Sequence, residues 1–182
     1  MDRFLKLTSL LLLILTNIAT GSAVFAAQIS PKDALQAAIS YNLAKFIYRV
    51  GGAEGAGSDP VSFCILENAS LVPALRKMVS KDKSLRPVKL LEISRHEGFY
   101  KGCDISYLGE TALRHISPEK LATAGSITIS DAPEFLDAGG GIQLIQQNNK
   151  IAFSLNIPAI TVTGKALSSH VIKLAHDVRT RP

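Results

Sequence analysis

The chain has 182 residues, with 20 Lys or Arg against 15 Asp or Glu, two cysteines, 6% aromatic residues and no tryptophan. Its formal charge of +5 is spread along the sequence without a basic block or interleaved aromatics, which argues against a nucleic-acid surface. The length suits one domain able to bury a substantial core.

Residues 1–26 read as a leader and not as fold. Arg3 and Lys6 precede the apolar run Leu10 to Ile18, and small residues follow, with Val24 and Ala26 at the positions a signal peptidase reads. The run is shorter than the roughly 20 residues that span a bilayer. Cleavage is expected after Ala26, leaving residues 27–182 as the exported domain. No lipobox-type cysteine follows the run, so a lipid anchor is not expected. Losing Asp2, Arg3 and Lys6 lowers the formal charge from +5 to +4. Cys64 and Cys103 form an even pair, which in an exported chain is most simply a disulfide. Two separate buried thiols are the alternative, and Cys-x-x-Cys redox spacing is missing.

Ser30-Pro31-Lys32-Asp33 supplies a cap, a proline for the first helical position and a carboxylate three residues after the cap. Leu35, Ile39, Leu43, Phe46 and Val50 then predict an amphipathic helix ending at Gly51-Gly52. Gly51 to Asp59 reads as a mobile loop. Strands are predicted at Val61 to Leu66, Val88 to Ile93, Asp104 to Leu108 and Ser126 to Ser130, with helices at Ser70 to Val79 and Thr111 to Ala122. Ile142 to Gln147 and Lys150 to Asn156 form a hairpin turning at Asn148-Asn149, and Leu167 to Val178 reads as a last helix. The alternation predicts an α/β fold: one compact domain, a mostly parallel sheet flanked by helices, a C-terminal hairpin and a final helix.

The candidate chemistry is sparse. Gly139-Gly140-Gly141 precedes a strand where a phosphate loop would open a helix, so it reads as a bend entering the hairpin. His170 and His176 are six residues apart and cannot share a helix face as metal ligands, and His96 and His115 read as surface residues. Ser168, Ser169, His170 and Asp177 contain a triad's residue types without a nucleophile elbow, and the two serines fit better as helix caps. Asp131, Glu134 and Asp137 read as helix-start acids. No catalytic, cofactor or metal set is expected.

"SITISDAPEFLDAGGGIQLIQQNNKIAFSLN" and "LSSHVIKLAHDV", with "AAISYNLAKFI", "VSFCIL" and "CDISYL", resemble the YfiR-like family of bacterial periplasmic proteins over nearly the whole exported chain. The motif residues are Asp131, Phe135, Gly139, Gly140, Phe153, Asn156, Ser168 and Ser169. Tyr48-Arg49-Val50 stands where the family often has Trp-Pro, Asp104 where it often has His, and Glu67 where a Gly is common. The resemblance implies a periplasmic repressor that binds the sensor region of an inner-membrane diguanylate cyclase and lowers cyclic di-GMP and biofilm formation. It further implies a homodimer, sequestration by an outer-membrane lipoprotein, and a Cys64–Cys103 bond that makes stability redox-sensitive. A sensor or small-ligand module serving a histidine kinase is the alternative.

Overall fold

The computed structural model describes residues 29–50, 59–93, 102–148 and 150–181. The leader and its cleavage site, the loop over 51–58, His96 and Asn149 lie outside the described residues. Helix α1 spans Pro31–Lys45, with Ser30 accepting from the Asp33 amide as predicted. The predicted extension to Val50 does not occur. The chain turns at Phe46 and enters strand β1, Ile47–Arg49, where the strand formers Ile47 and Tyr48 favour the change. Ile47 is buried there, opposite Leu167 of β8, Lys165–Leu167.

Strands β2 (Val61–Leu66), β3 (Val88–Ile93), β4 (Ile105–Leu108), β5 (Ile127–Ser130) and β6 (Ile142–Gln147) run parallel, each within a residue of its predicted limits. β7, Lys150–Asn156, returns antiparallel to β6 through a turn in which Asn148 has φ 53°. β9, Asp177–Arg179, lies parallel to β7 and completes the order β3-β2-β4-β5-β6-β7-β9. The fold is therefore α/β with a mostly parallel sheet flanked by helices, as the alternation predicts.

Two predicted helices are interrupted. Thr111 to Ala122 resolves into α3, Glu110–Leu113, and α4, Pro118–Ala122. Proline cannot continue a helix from within, so Ser117 goes extended and caps a new one. Leu167 to Val178 becomes the end of β8, helix α6 (Ser169–Leu174) and β9. The His176 amide donates to the Phe153 carbonyl at 2.8 Å, which draws the chain out of helix and into the sheet. α2 spans Val72–Val79 and the unpredicted α5 spans Ile157–Thr161.

The larger core lies on one sheet face, where Phe63, Ile65, Ile105, Tyr107, Ile129 and Leu155 meet α1 and α2. A smaller cluster of Leu66, Leu108, Ala112, Leu121 and Phe135 covers the other. Burial on both faces explains why the central strands read as nearly continuous apolar runs. On the second face buried hydroxyls satisfy one another or the backbone: Ser106 with Ser126 at 2.8 Å, and Ser130 donating to the Leu108 carbonyl at 2.8 Å.

Cys64 and Cys103 are joined by a disulfide with Cα atoms 5.9 Å apart. It ties β2 to the start of β4, strands separated in sequence but adjacent in the sheet. Closing a loop of 39 residues stabilises the fold by about 4 kcal/mol on chain-entropy grounds. Cys64→Ala and Cys103→Ala should therefore each lower stability by a similar amount in denaturant melts. The double variant should be no worse than either single one, and two additive losses would contradict a shared bond.

Candidate partner-binding face

Helix α1 presents small residues to the sheet. Ala37, Ser40 and Ala44 are buried with Gln36 and Leu43, whereas Leu35 and Ile39 of the predicted apolar stripe are half-buried. Small side chains let the helix axis approach closely, and Ser40 Oγ is left without a hydrogen-bond partner among the described residues. Carboxylates hold the helix at both ends.

At the carboxyl edge of the sheet, Asp131 follows β5 directly. It accepts from Gln36 Nε2 at 2.7 Å and from the Tyr107 hydroxyl at 3.0 Å, and it pairs with Lys32 at 2.9 Å. Burial alone would raise its pKa, but Lys32, Gln36 and Tyr107 outweigh that and hold it below the usual range. Burial, reinforced by the Asp131 charge, pushes the Tyr107 phenol up. The expectation of helix-start acids fails here: Asp131 to Asp137 form turns, Glu134 has φ 58°, and Asp137 pairs with Arg179 at 2.6 Å.

At the amino edge, Lys45 Nζ reaches Asp82 Oδ1 at 3.0 Å and Ser84 Oγ at 2.9 Å. The Asp82 side chain is only 3% exposed, and it also accepts from the amides of Ser84 and Val88 at 3.0 and 3.2 Å. Burial raises its pKa, yet hydrogen bonds from Tyr41, Ser84 and Lys45 win and depress it strongly.

Between α1, β7 and α6 the same helix leaves an apolar groove of about 280 Å³ lined by Ile39, Leu43, Phe46, Phe153, His170 and Leu174. Leu43 and Val171 close its base, while Phe46 is 43% and Leu174 62% exposed. Phe46 and the His170 ring lie tilted with centroids 6.4 Å apart.

The motif residues fall into three groups. Phe153 lines the groove, and Ser168 caps the α6 that walls it, accepting from the Val171 amide at 3.4 Å, with Ser169 opening the helix. Asp131 anchors α1. Phe135, Gly139, Gly140 and Asn156 build the bend. Gly139 has φ 93°, a Cβ on Gly140 would strike the buried Phe135 ring, and the Gly141 amide donates to Thr128 Oγ1 at 3.0 Å. Asn156 caps α5 through the Ala159 amide at 3.3 Å. The three glycines thus shape a backbone bend, as their position before a strand implied.

Strand order reverses between β2 and β4, the place where open α/β sheets form ligand crevices. Here the two turns touch: the Gly109 amide donates to the Leu66 carbonyl at 3.0 Å, and a Cβ on Gly109 would strike the Glu67 carbonyl. Glu67 has φ 47°, the left-handed region that favours glycine, at the position where the resembled family commonly has one. Asp104 Oδ2, in the place of the family's histidine, accepts from the Ser62 amide at 2.9 Å. His115, His170 and His176 are exposed on separate segments, and among the described residues no three His, Cys, Asp or Glu side chains converge as metal ligands.

Removing the amino-edge carboxylate should be costly. Asp82→Asn is expected to lose about 2 to 3 kcal/mol, the low end for a broken buried pair because Lys45 is 27% exposed. Since the folded pKa of Asp82 is depressed, its contribution is full above the unfolded value of about 3.9 and is lost as pH falls through the lower folded value. Melting curves should show the gap between wild type and variant constant above about pH 5 and closing in acid. A gap independent of pH would contradict the assignment.

Comparison with curated proteins finds no match. Among the described residues no helix is long and apolar enough to cross a membrane. A family model described as YfiR/HmsC-like matches residues 33–176, which takes in all but the first two residues of α1, the disulfide, the glycine bend and the groove. The chain belongs to the YfiR/HmsC-like family, which at the family level places it among periplasmic regulators of diguanylate cyclase signalling.

Proposed function

We propose that the chain is a periplasmic negative regulator that grips the periplasmic sensor region of an inner-membrane diguanylate cyclase and lowers cyclic di-GMP output, without catalysis of its own. Export by residues 1–26 leaves 27–182 as the active domain. The observation that carries this reading is the groove, where Phe46 and Leu174 stand out over an apolar floor. An exposed aromatic and a leucine flanking a narrow apolar channel suit the anchor residues of an amphipathic helix. The exposed Phe46 is a fitting hot spot, because burying the open part of an aromatic ring removes substantial apolar area from water.

The disulfide supports a redox dependence on this reading. Reduction would remove about 4 kcal/mol from a domain whose total stability is on the order of 10 kcal/mol, lowering the level of folded inhibitor. Homodimer formation and capture by an outer-membrane lipoprotein belong to the same proposal and rest on the family likeness alone.

In-cell cross-linking of the tagged, exported protein, with captured proteins identified by mass spectrometry, tests the reading. The expected product joins it to an inner-membrane protein with a cytoplasmic cyclase domain. Phe46→Glu with Leu174→Glu should abolish that product at unchanged melting temperature. Capture of a sensor kinase would move the protein to the alternative signalling partner, and a cyclase product indifferent to both substitutions would remove the groove from the account.

A further inference from the structure

The turn between α2 and β3 carries a feature that the groove does not use. Leu85 is 96% exposed, the most exposed of the large apolar side chains described. The exposed lysines Lys77, Lys81 and Lys83 precede it in sequence, and none of them makes an ion pair among the described residues. The one carboxylate within the turn, Asp82, points inward and is neutralised by Lys45. Arg86 is also turned inward, donating to the Ile47 carbonyl and, at 3.3 Å, to that of Asp59. Asp59 is exposed beside it, and Glu92 at the far end of β3 is paired with Arg76.

The turn is firmly built. Lys81 and Asp82 amides donate to the Met78 and Val79 carbonyls at 3.1 Å, Ser84 Oγ donates to the Arg86 carbonyl at 3.0 Å, and Asp82 binds the amides of Ser84 and Val88. Five hydrogen bonds therefore hold the turn that extrudes the leucine two residues after Lys83. A loop under no constraint could fold Leu85 back onto its own surface; this one fixes it outward.

We propose that this knuckle is a membrane-surface contact, which inserts Leu85 into the interface of a bilayer rich in anionic phospholipid while Lys77, Lys81 and Lys83 meet the headgroups. A bilayer accepts a lone protruding leucine without a shaped pocket, whereas an acidic protein partner would need one. Each lysine near an anionic surface contributes about a fivefold gain in partition, and the attraction is screened at high salt. The knuckle and the groove share no residue, so the proposal stands apart from the partner reading.

The test is co-sedimentation of the exported protein with vesicles of phosphatidylcholine alone and of phosphatidylcholine with one third phosphatidylglycerol. Binding should appear only with the anionic lipid and vanish at about 1 M salt, where the Debye length is about 3 Å. Lys81→Ala with Lys83→Ala should weaken binding by about thirtyfold. Leu85→Ser should weaken it by about tenfold, at unchanged melting temperature, since the side chain touches little of the fold. Equal binding to both vesicles, no binding to either, or binding unmoved by the substitutions would each overturn the proposal.

Discussion

One helix pinned at both ends by carboxylates organises this molecule. α1 is rich in small residues on its sheet-facing side, which gives close approach but little apolar area to hold it in place. Asp131 supplies the anchor at the carboxyl edge through Lys32 and Gln36, and Asp82 supplies it at the amino edge through Lys45. Both carboxylates are held below the usual range, Asp82 strongly so, because their partners outweigh the cost of burial. With both ends fixed, the outward face of α1 is fixed too. That face is one wall of the groove, and the same amino-edge anchor sets the turn that carries Leu85.

The rest of the architecture supports this arrangement. The glycine bend closes against Phe135 and Thr128 and delivers β6 and β7 in register, which places Phe153 under the groove. Ser168 starts α6 at the angle that makes the opposite wall. At the switch point between β2 and β4, the Glu67 and Gly109 turns meet. Family membership and an open apolar groove between two helices agree in favouring a protein partner.

Much of this was legible in the sequence, for local reasons. The cap at Ser30, the strand runs, the Asn148 turn and the glycine bend are decided by neighbouring residues, and they fall where local chemistry puts them. The errors lie where tertiary contacts override periodicity. Phe46 and Val50 continue a helical spacing, yet Ile47 is claimed by β8. Leu174 and Val178 do likewise, yet the Phe153 carbonyl claims His176. Lys45 and Asp82 stand 37 residues apart, and no local signal joins them. Asp131 stands out in the sequence as a motif residue, but its role as an anchor for α1 depends on Gln36, 95 residues away. The groove drew its walls from three distant segments, although the His170 and Leu174 spacing of four did hint at a shared helix face.

The most direct measurement is cellular cyclic di-GMP in a strain whose chromosomal copy carries Phe46→Glu and Leu174→Glu, compared with wild type and a clean deletion at matched periplasmic protein level. The account predicts that the nucleotide rises to the level of the deletion, because a folded inhibitor has lost only its grip. A level indistinguishable from wild type would contradict it, and the groove would no longer be the surface through which this protein acts.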